Sequence, residues 1–210
     1  MSDRGAPEAD DNFTADMPTK KILYVVSNVY DSKEFEGLVA NWDRERFELE
    51  FIFFNALPDC SIQRVIRAAG YRSTSIRYRR IGDAPRAMRE LVRYLRQHRP
   101  DVVHANLLEA SFFTMLAGRY ADIGRLVYTR HHTLHNHKYH PVRGVFYDRI
   151  INALAHRIIA VAQNVVDVLV GMEKVPPGKV ALIHHGFDLD EARAPDPIRT
   201  AHLRRKYGFT

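Results

Sequence analysis

Five of the chain's eleven histidines fall within ten residues, His131–His140 (HHTLHNHKYH). Imidazole suits zinc, copper or nickel, which makes a metal site one reading. No cysteine joins the cluster, and no His-Glu-x-x-His or comparable ligand spacing occurs. The expectation is therefore no metal, and a His-rich loop that hydrogen-bonds a polar ligand at the mouth of a cleft. Other chemistries lack their signatures. Asn28-Val29-Tyr30-Asp31-Ser32-Lys33 stands where a dinucleotide fold would write G-x-G-x-x-G, and G-x-x-x-x-G-K-[ST] and G-x-S-x-G are absent. These absences argue against a nicotinamide dehydrogenase, a P-loop ATPase and an α/β-hydrolase.

The elements that must position these residues follow from periodicity. Short apolar runs predict strands at Lys21–Ser27, Phe47–Phe54, Tyr71–Tyr78, Asp101–Asn106, Arg125–Arg130, Arg157–Ala162 and Lys179–His184. Between them, helical spacing predicts helices at Phe35–Trp42, Ile62–Ala69, Leu108–Tyr120, Gly144–Ala155 and Val165–Gly171. A further helix starts at an Asp83 N-cap, has Pro85 in its first turn and ends before Pro100. Alternation of this kind means βαβ units, hence an α/β fold with a doubly wound, Rossmann-like parallel sheet over residues 20–190. Residues 1–19, rich in Asp, Ala and Pro, read as a disordered tail.

Open parallel sheets bind ligands outside the carboxyl ends of their strands. Those ends carry Ser27 and Asn28, Asn55, His104 and Asn106, Arg130, His131 and His132, Gln163, and His184, His185 and Gly186. Turn formation alone favours Asn, Ser and Gly, but this many polar groups at one edge read as a binding site.

The chain has 210 residues, 46% hydrophobic and 27% charged, with a net charge of +6. No apolar run reaches the roughly 18 residues of a transmembrane helix. The acidic N-terminus is no signal peptide, and the single cysteine, Cys60, fits a reducing compartment, so the expectation is a cytoplasmic domain. From Arg64 to Arg99 there are eleven arginines against Asp83 and Glu90, so this stretch alone carries +9. It is either a solvated face or a surface for an anionic membrane, which would place the domain peripherally on the inner leaflet. No recognition motif or stacking platform points to nucleic acid.

Four blocks in order carry a family resemblance. They are Pro100-Asp101-Val102-Val103-His104-Ala105-Asn106, Tyr128-Thr129-Arg130-His131-His132, Ala155-His156-Arg157-Ile158-Ile159-Ala160-Val161-Ala162, and Ile183-His184-His185-Gly186-Phe187-Asp188. Together they resemble the N-terminal half of group 1 (family 4) retaining glycosyltransferases of the GT-B fold. That family writes the blocks as P-D-[IV]-[IV]-H-x-H, T-x-H, A-D-x-[IV]-[IV]-x-x-S and I-x-N-G-[VF]-D. The Thr-Arg-His-His form resembles a bacterial subgroup of cell-surface polysaccharide or glycolipid assembly.

The resemblance implies sugar transfer, with retention, from a nucleotide-sugar to a glycan or lipid-linked acceptor. The nucleotide-sugar is a substrate, and no cofactor is needed. It also implies that the chain is the acceptor-side domain. Residues 191–210 would begin the linker to a C-terminal donor-binding domain with a Glu-x7-Glu region, and without that domain the chain would be inactive. His131 matches the T-x-H histidine, expected at the reacting centre, with His132 as the alternative. His104 matches the first histidine of H-x-H and Asn106 replaces the second. Gly186 and Asp188 match N-G-x-D, with His185 in place of Asn. Glu36 stands where the family often has a Glu after paired glycines, which this chain lacks. Arg130 would help to shape the acceptor pocket. A nucleotide-sugar 2-epimerase-like domain and a non-catalytic His-rich or basic binding module are the alternatives.

Overall fold

A computed structural model describes residues 18–27, 29–30, 32–55, 60–186 and 196–209. Most of the expected tail, together with Asn28 and Asp188, lies outside the described residues. The strands are β1 (Lys20–Ser27), β2 (Phe47–Asn55), β3 (Arg72–Arg77), β4 (Val102–Asn106), β5 (Leu126–Arg130), β6 (Arg157–Ala160) and β7 (Val180–Leu182). The helices are α1 (Lys33–Ala40), α2 (Ser61–Ala68), α3 (Ala84–His98), α4 (Leu108–Tyr120), α5 (His135–Tyr139), α6 (Arg143–Leu154), α7 (Gln163–Asp167) and α8 (Pro197–Tyr207). All seven strands form one parallel sheet in the order β3-β2-β1-β4-β5-β6-β7. The Rossmann-like α/β expectation is met.

The apolar strands have no polar face because both sides are covered. In β1, Leu23 and Val25 enter one core, with α3, α4 and α6, while Val26 enters the other, with α1 and α2. β2 divides the same way, Ile52 and Phe54 to the first core and Leu49, Phe51 and Phe53 to the second. Right-handed crossovers require this division. The chain runs β1, β2, β3 in one direction across the sheet and then returns to place β4 on the far side of β1. The reversal makes a switch point between β1 and β4, and it is there that a crevice opens.

Three local expectations change. Asp83 does not cap α3. Its carboxylate accepts from the backbone N–H groups of Arg79 (2.9 Å) and Arg80 (3.2 Å), and so holds the 3-10 turn Ile81–Asp83 that leads into α3. The His-rich stretch contains a short helix, α5, that its polar sequence did not announce. The helix expected at Val165–Gly171 runs as α7 and then widens into a π turn over Val168–Met172.

The basic run also comes apart. Arg64 and Arg67 sit on α2, while Arg86, Arg89, Arg93 and Arg96 sit on α3, across the sheet. Arg64–Arg99 is therefore not one surface, because consecutive helices of a doubly wound sheet change faces at the switch point. No described helix is long and apolar enough to cross a membrane.

Helix α4 lies so close on β5 that a Cβ at Gly118 would overlap the Leu126 side chain, which is itself fully buried. Gly118→Ala should therefore cost about 1–3 kcal/mol by overpacking, read as a lower urea midpoint at unchanged slope. A midpoint at or above wild type would contradict this close approach.

Candidate functional site

The crevice at the switch point is about 440 Å³ and is lined by Val29, Tyr30, Ser32, Glu34, Phe35, Asn106, Leu107 and His131. Its floor is the carboxyl end of β4, where the chain turns sharply into α4. Leu107 makes that turn at φ 69°, ψ 163°. Leucine pays about 1–3 kcal/mol for such a conformation, a kind of strain that collects at functional sites. Ser27 supports the turn from β1, its buried hydroxyl accepting from the Ala110 N–H at 3.3 Å.

His131 enters from the end of β5. Its Nε2 lies 3.0 Å from Asn106 Oδ1. An amide oxygen only accepts, so Nε2 carries the hydrogen and Nδ1 keeps a lone pair in the neutral ring. Burial, aided by the neighbouring His185, pushes the His131 pKa down to about 4, so the ring is neutral at physiological pH. His185 stacks on it, with ring centroids 5.1 Å apart and planes 17° from parallel. Behind His185 stands Glu34, whose Oε1 lies 3.3 Å from His185 Nδ1. Glu34 comes from the first turn of α1, which Ser32 caps by accepting from the Phe35 N–H. Burial raises its pKa, and the charge of His185 opposes that shift.

Glu34, His131 and His185 are the one described set whose ligand atoms lie together, within 4.8 Å of one another. Each imidazole lone pair lies in its own ring plane, so rings stacked face to face do not converge on one ion as readily as rings set at an angle. His131 Nε2 and His185 Nδ1 are also already engaged. An ion pair, a ring stack and a hydrogen bond in turn link the Glu34 carboxylate to Asn106 in the cleft.

Other expected site residues stand outside the crevice lining. His104 lies in the layer beneath, its Nε2 2.8 Å from Thr129 Oγ1 and its ring 4.4 Å from that of Tyr24. Burial lowers its pKa to about 3, and it buttresses the strand end that carries Asn106. Glu36 points to Lys33 at 3.0 Å, and Glu34 takes the place in the cleft that sequence reasoning gave to Glu36. Gly186 is exposed, with open space where a Cβ would stand.

Arg130 is not brought to the cleft. Its guanidinium is 3% exposed and lies 2.5 Å from Asp148 Oδ1 and 2.7 Å from Glu173 Oε1. Its Nε donates to the His132 carbonyl at 2.9 Å. Asn136 donates to Asp148 at 2.8 Å, and Asn152 donates to Glu173 at 2.6 Å. The histidine stretch therefore divides by role. His131 faces the cleft, and His137 meets Glu173 at 3.2 Å. His135 tilts against His132 and His140. Sequence reasoning missed Asp148 and Glu173, which lie 18 and 43 positions from Arg130 and show no local pattern with it.

A comparison with protein families matches residues 37–191 to Glycosyltransferase Family 4. No curated protein matches in sequence. Among solved structures, Anabaena HepE in complex with UDP and glucose is similar at TM-score 0.66 and 18% identity, over 90% of this chain and 50% of that one. A glycosyltransferase from Rickettsia africae ESF-5 is similar at 0.61 and 14%, over 92% and 51%. A UDP-GlcNAc 2-epimerase from Methanocaldococcus jannaschii is similar at 0.61 and 10%, over 78% and 45%. The chain thus spans about half the length of these structures, and at such identities the likeness is one of fold.

Removing the arginine leaves the buried Asp148 carboxylate without a cation and Glu173 with only His137 beside it as a basic partner. Arg130→Met should destabilise the chain by about 3–5 kcal/mol in urea unfolding, whereas replacing a rim pair such as Lys33–Glu36 should cost less than about 1 kcal/mol. Equal effects would remove the network from its structural role.

Proposed function

The chain belongs to Glycosyltransferase Family 4, and from that premise we propose that it is the acceptor-side half of a retaining glycosyltransferase. It would use a nucleotide-sugar, with UDP as the nucleotide, and a glycan or lipid-linked acceptor. The observation that carries this reading is His131, a neutral imidazole held at the switch-point crevice with Nε2 committed to Asn106.

In such a transfer the bond from the anomeric carbon to the diphosphate oxygen breaks through an oxocarbenium-like state. The acceptor oxygen bonds to the same face, and its proton leaves with the diphosphate. A neutral His131 offers Nδ1 to a sugar hydroxyl and fixes that hydroxyl against the anomeric carbon, which is catalysis by orientation. An imidazolium would lose that acceptor atom. Glu34 and His185 hold the ring from behind. Positive charge for the departing diphosphate would come from the family's C-terminal half, and His185, Gly186 and Asp188 are kept as substrate-binding residues only by their match to the family's N-G-x-D block. His132 stays as the alternative to His131. No cofactor beyond the nucleotide-sugar is required, and the single cysteine is in keeping with a cytoplasmic setting.

The 2-epimerase fold likeness supports a second reading. The two differ in product: transfer gives free UDP and a new glycoside with the donor's anomeric configuration, while epimerisation gives an isomeric nucleotide-sugar. The family match favours transfer.

In the full-length protein, His131→Ala should lower kcat by about a hundredfold or more while moving Tm by only a few degrees. Turnover equal to wild type would remove His131 from the reacting centre.

A further inference from the structure

The surface beside the histidine loop is apolar and cationic at once. Leu134, Tyr139 (59% exposed), Val142 (80%) and Phe146 (58%) stand out along α5 and α6, although each is large enough for a core. Lys138, Arg143 and Arg149 are exposed among them. From His131 to Arg157 the only acidic residue is Asp148, and it is buried against Arg130. On α6 the buried positions are Gly144, Asp148, Ile151 and Asn152, so its outward stripe reads Arg143, Phe146 and Arg149.

An aromatic chain joins this patch to the end of β3. Phe146 contacts Tyr147, which contacts Phe112, then Phe113, then Tyr78 at ring separations of 6.2, 4.6, 6.1 and 5.0 Å. Arg79 and Arg80, both exposed, follow Tyr78, and their charge is partly offset by Asp83, whose carboxylate accepts from their backbone N–H groups.

We propose that this α5–α6 face docks on an anionic membrane surface, with Val142 and Phe146 entering the headgroup region and Lys138, Arg143 and Arg149 on the phosphates. Two observations select this occupant. Aromatic and aliphatic side chains interleaved with cations, with no exposed acid between His131 and Arg157, match the chemistry of an interfacial helix on anionic lipid. A second copy is disfavoured, since an isologous contact would press two cationic faces together. The face adjoins the loop that carries His131, so a docked bilayer would lie at the crevice rim. That the lipid side supplies the acceptor rests on the transfer reading; the docking does not.

The test is co-sedimentation of the 210-residue chain with phosphatidylcholine vesicles, with and without phosphatidylglycerol. The chain should pellet with anionic vesicles at low salt and be released as salt rises. Arg143→Glu should weaken binding about fivefold or more, and Val142→Asp with Phe146→Asp should weaken it at least about tenfold. Phe146→Ala gives a milder check. Arg93→Glu on α3 should change nothing. Absence of pelleting at low salt, binding that survives Val142→Asp with Phe146→Asp, or an equal loss from Arg93→Glu would overturn the proposal. So would concentration-dependent dimerisation, without vesicles, that the same variants abolish. In the full-length protein, turnover with a water-soluble acceptor should be unchanged in Phe146→Ala, which separates failure of docking from failure of the transfer reading.

Discussion

The buried guanidinium of Arg130, set between Asp148 and Glu173, is the contact on which the candidate site rests. Taking three charges out of water costs several kcal/mol per ion, and attraction offsets that only where the remaining lone pairs and protons are satisfied. Asn136, Asn152, His137 and the His132 carbonyl supply most of that satisfaction, while Asp148 Oδ1 meets only the guanidinium of Arg130, as an ion pair. Tyr128 adds a hydrogen bond to Asn152. The network ties the end of β5, helix α5, helix α6 and the residue after the π turn into one unit. Glycine at 144 completes it, since a Cβ there would stand 2.7 Å from Asn136 Cγ. The residue next to this anchor is His131, so the position of the cleft imidazole is set by a charge cluster that never meets the solvent.

A second constraint acts from the sheet. Because the chain reverses between β1 and β4, no crossover covers the crevice above Asn106, and polar groups can project there without losing a core. Leu107 accepts a strained turn at that point and His104 is buried beneath it in neutral form. Strain, burial and depressed imidazole pKa values all fall at one edge of the sheet, the concentration expected where binding matters more than stability.

The fold was legible because it depends on local repetition: apolar runs of strand length, helical stripes between them and stops such as Gly70, which adopts φ 86° after α2. The same local reading located the edge where Asn106 and His131 meet. It failed where meaning depended on distant partners. Arg130 stands at a strand end, which suggests ligand contact, and only Asp148 and Glu173 turn it inward. Glu36 matched a family position, yet Glu34, two residues earlier, faces the cleft because the first turn of α1 fixes which side looks across to His185. The run of arginines looked like one patch in the sequence and is split by the sheet. The α5–α6 surface, whose cations are more widely spaced, stayed unnoticed for the same reason.

The central claim is that burial keeps the cleft imidazole neutral, with its hydrogen on Nε2. Long-range nitrogen–proton NMR of the histidine rings, recorded across pH, reads tautomer and charge directly. The account predicts that His131 shows the Nε2–H form from neutral pH down to about pH 5 and becomes charged only near its depressed pKa of about 4. Titration near 6.5, as for an ordinary exposed histidine, or an Nδ1–H form at neutral pH, would contradict it.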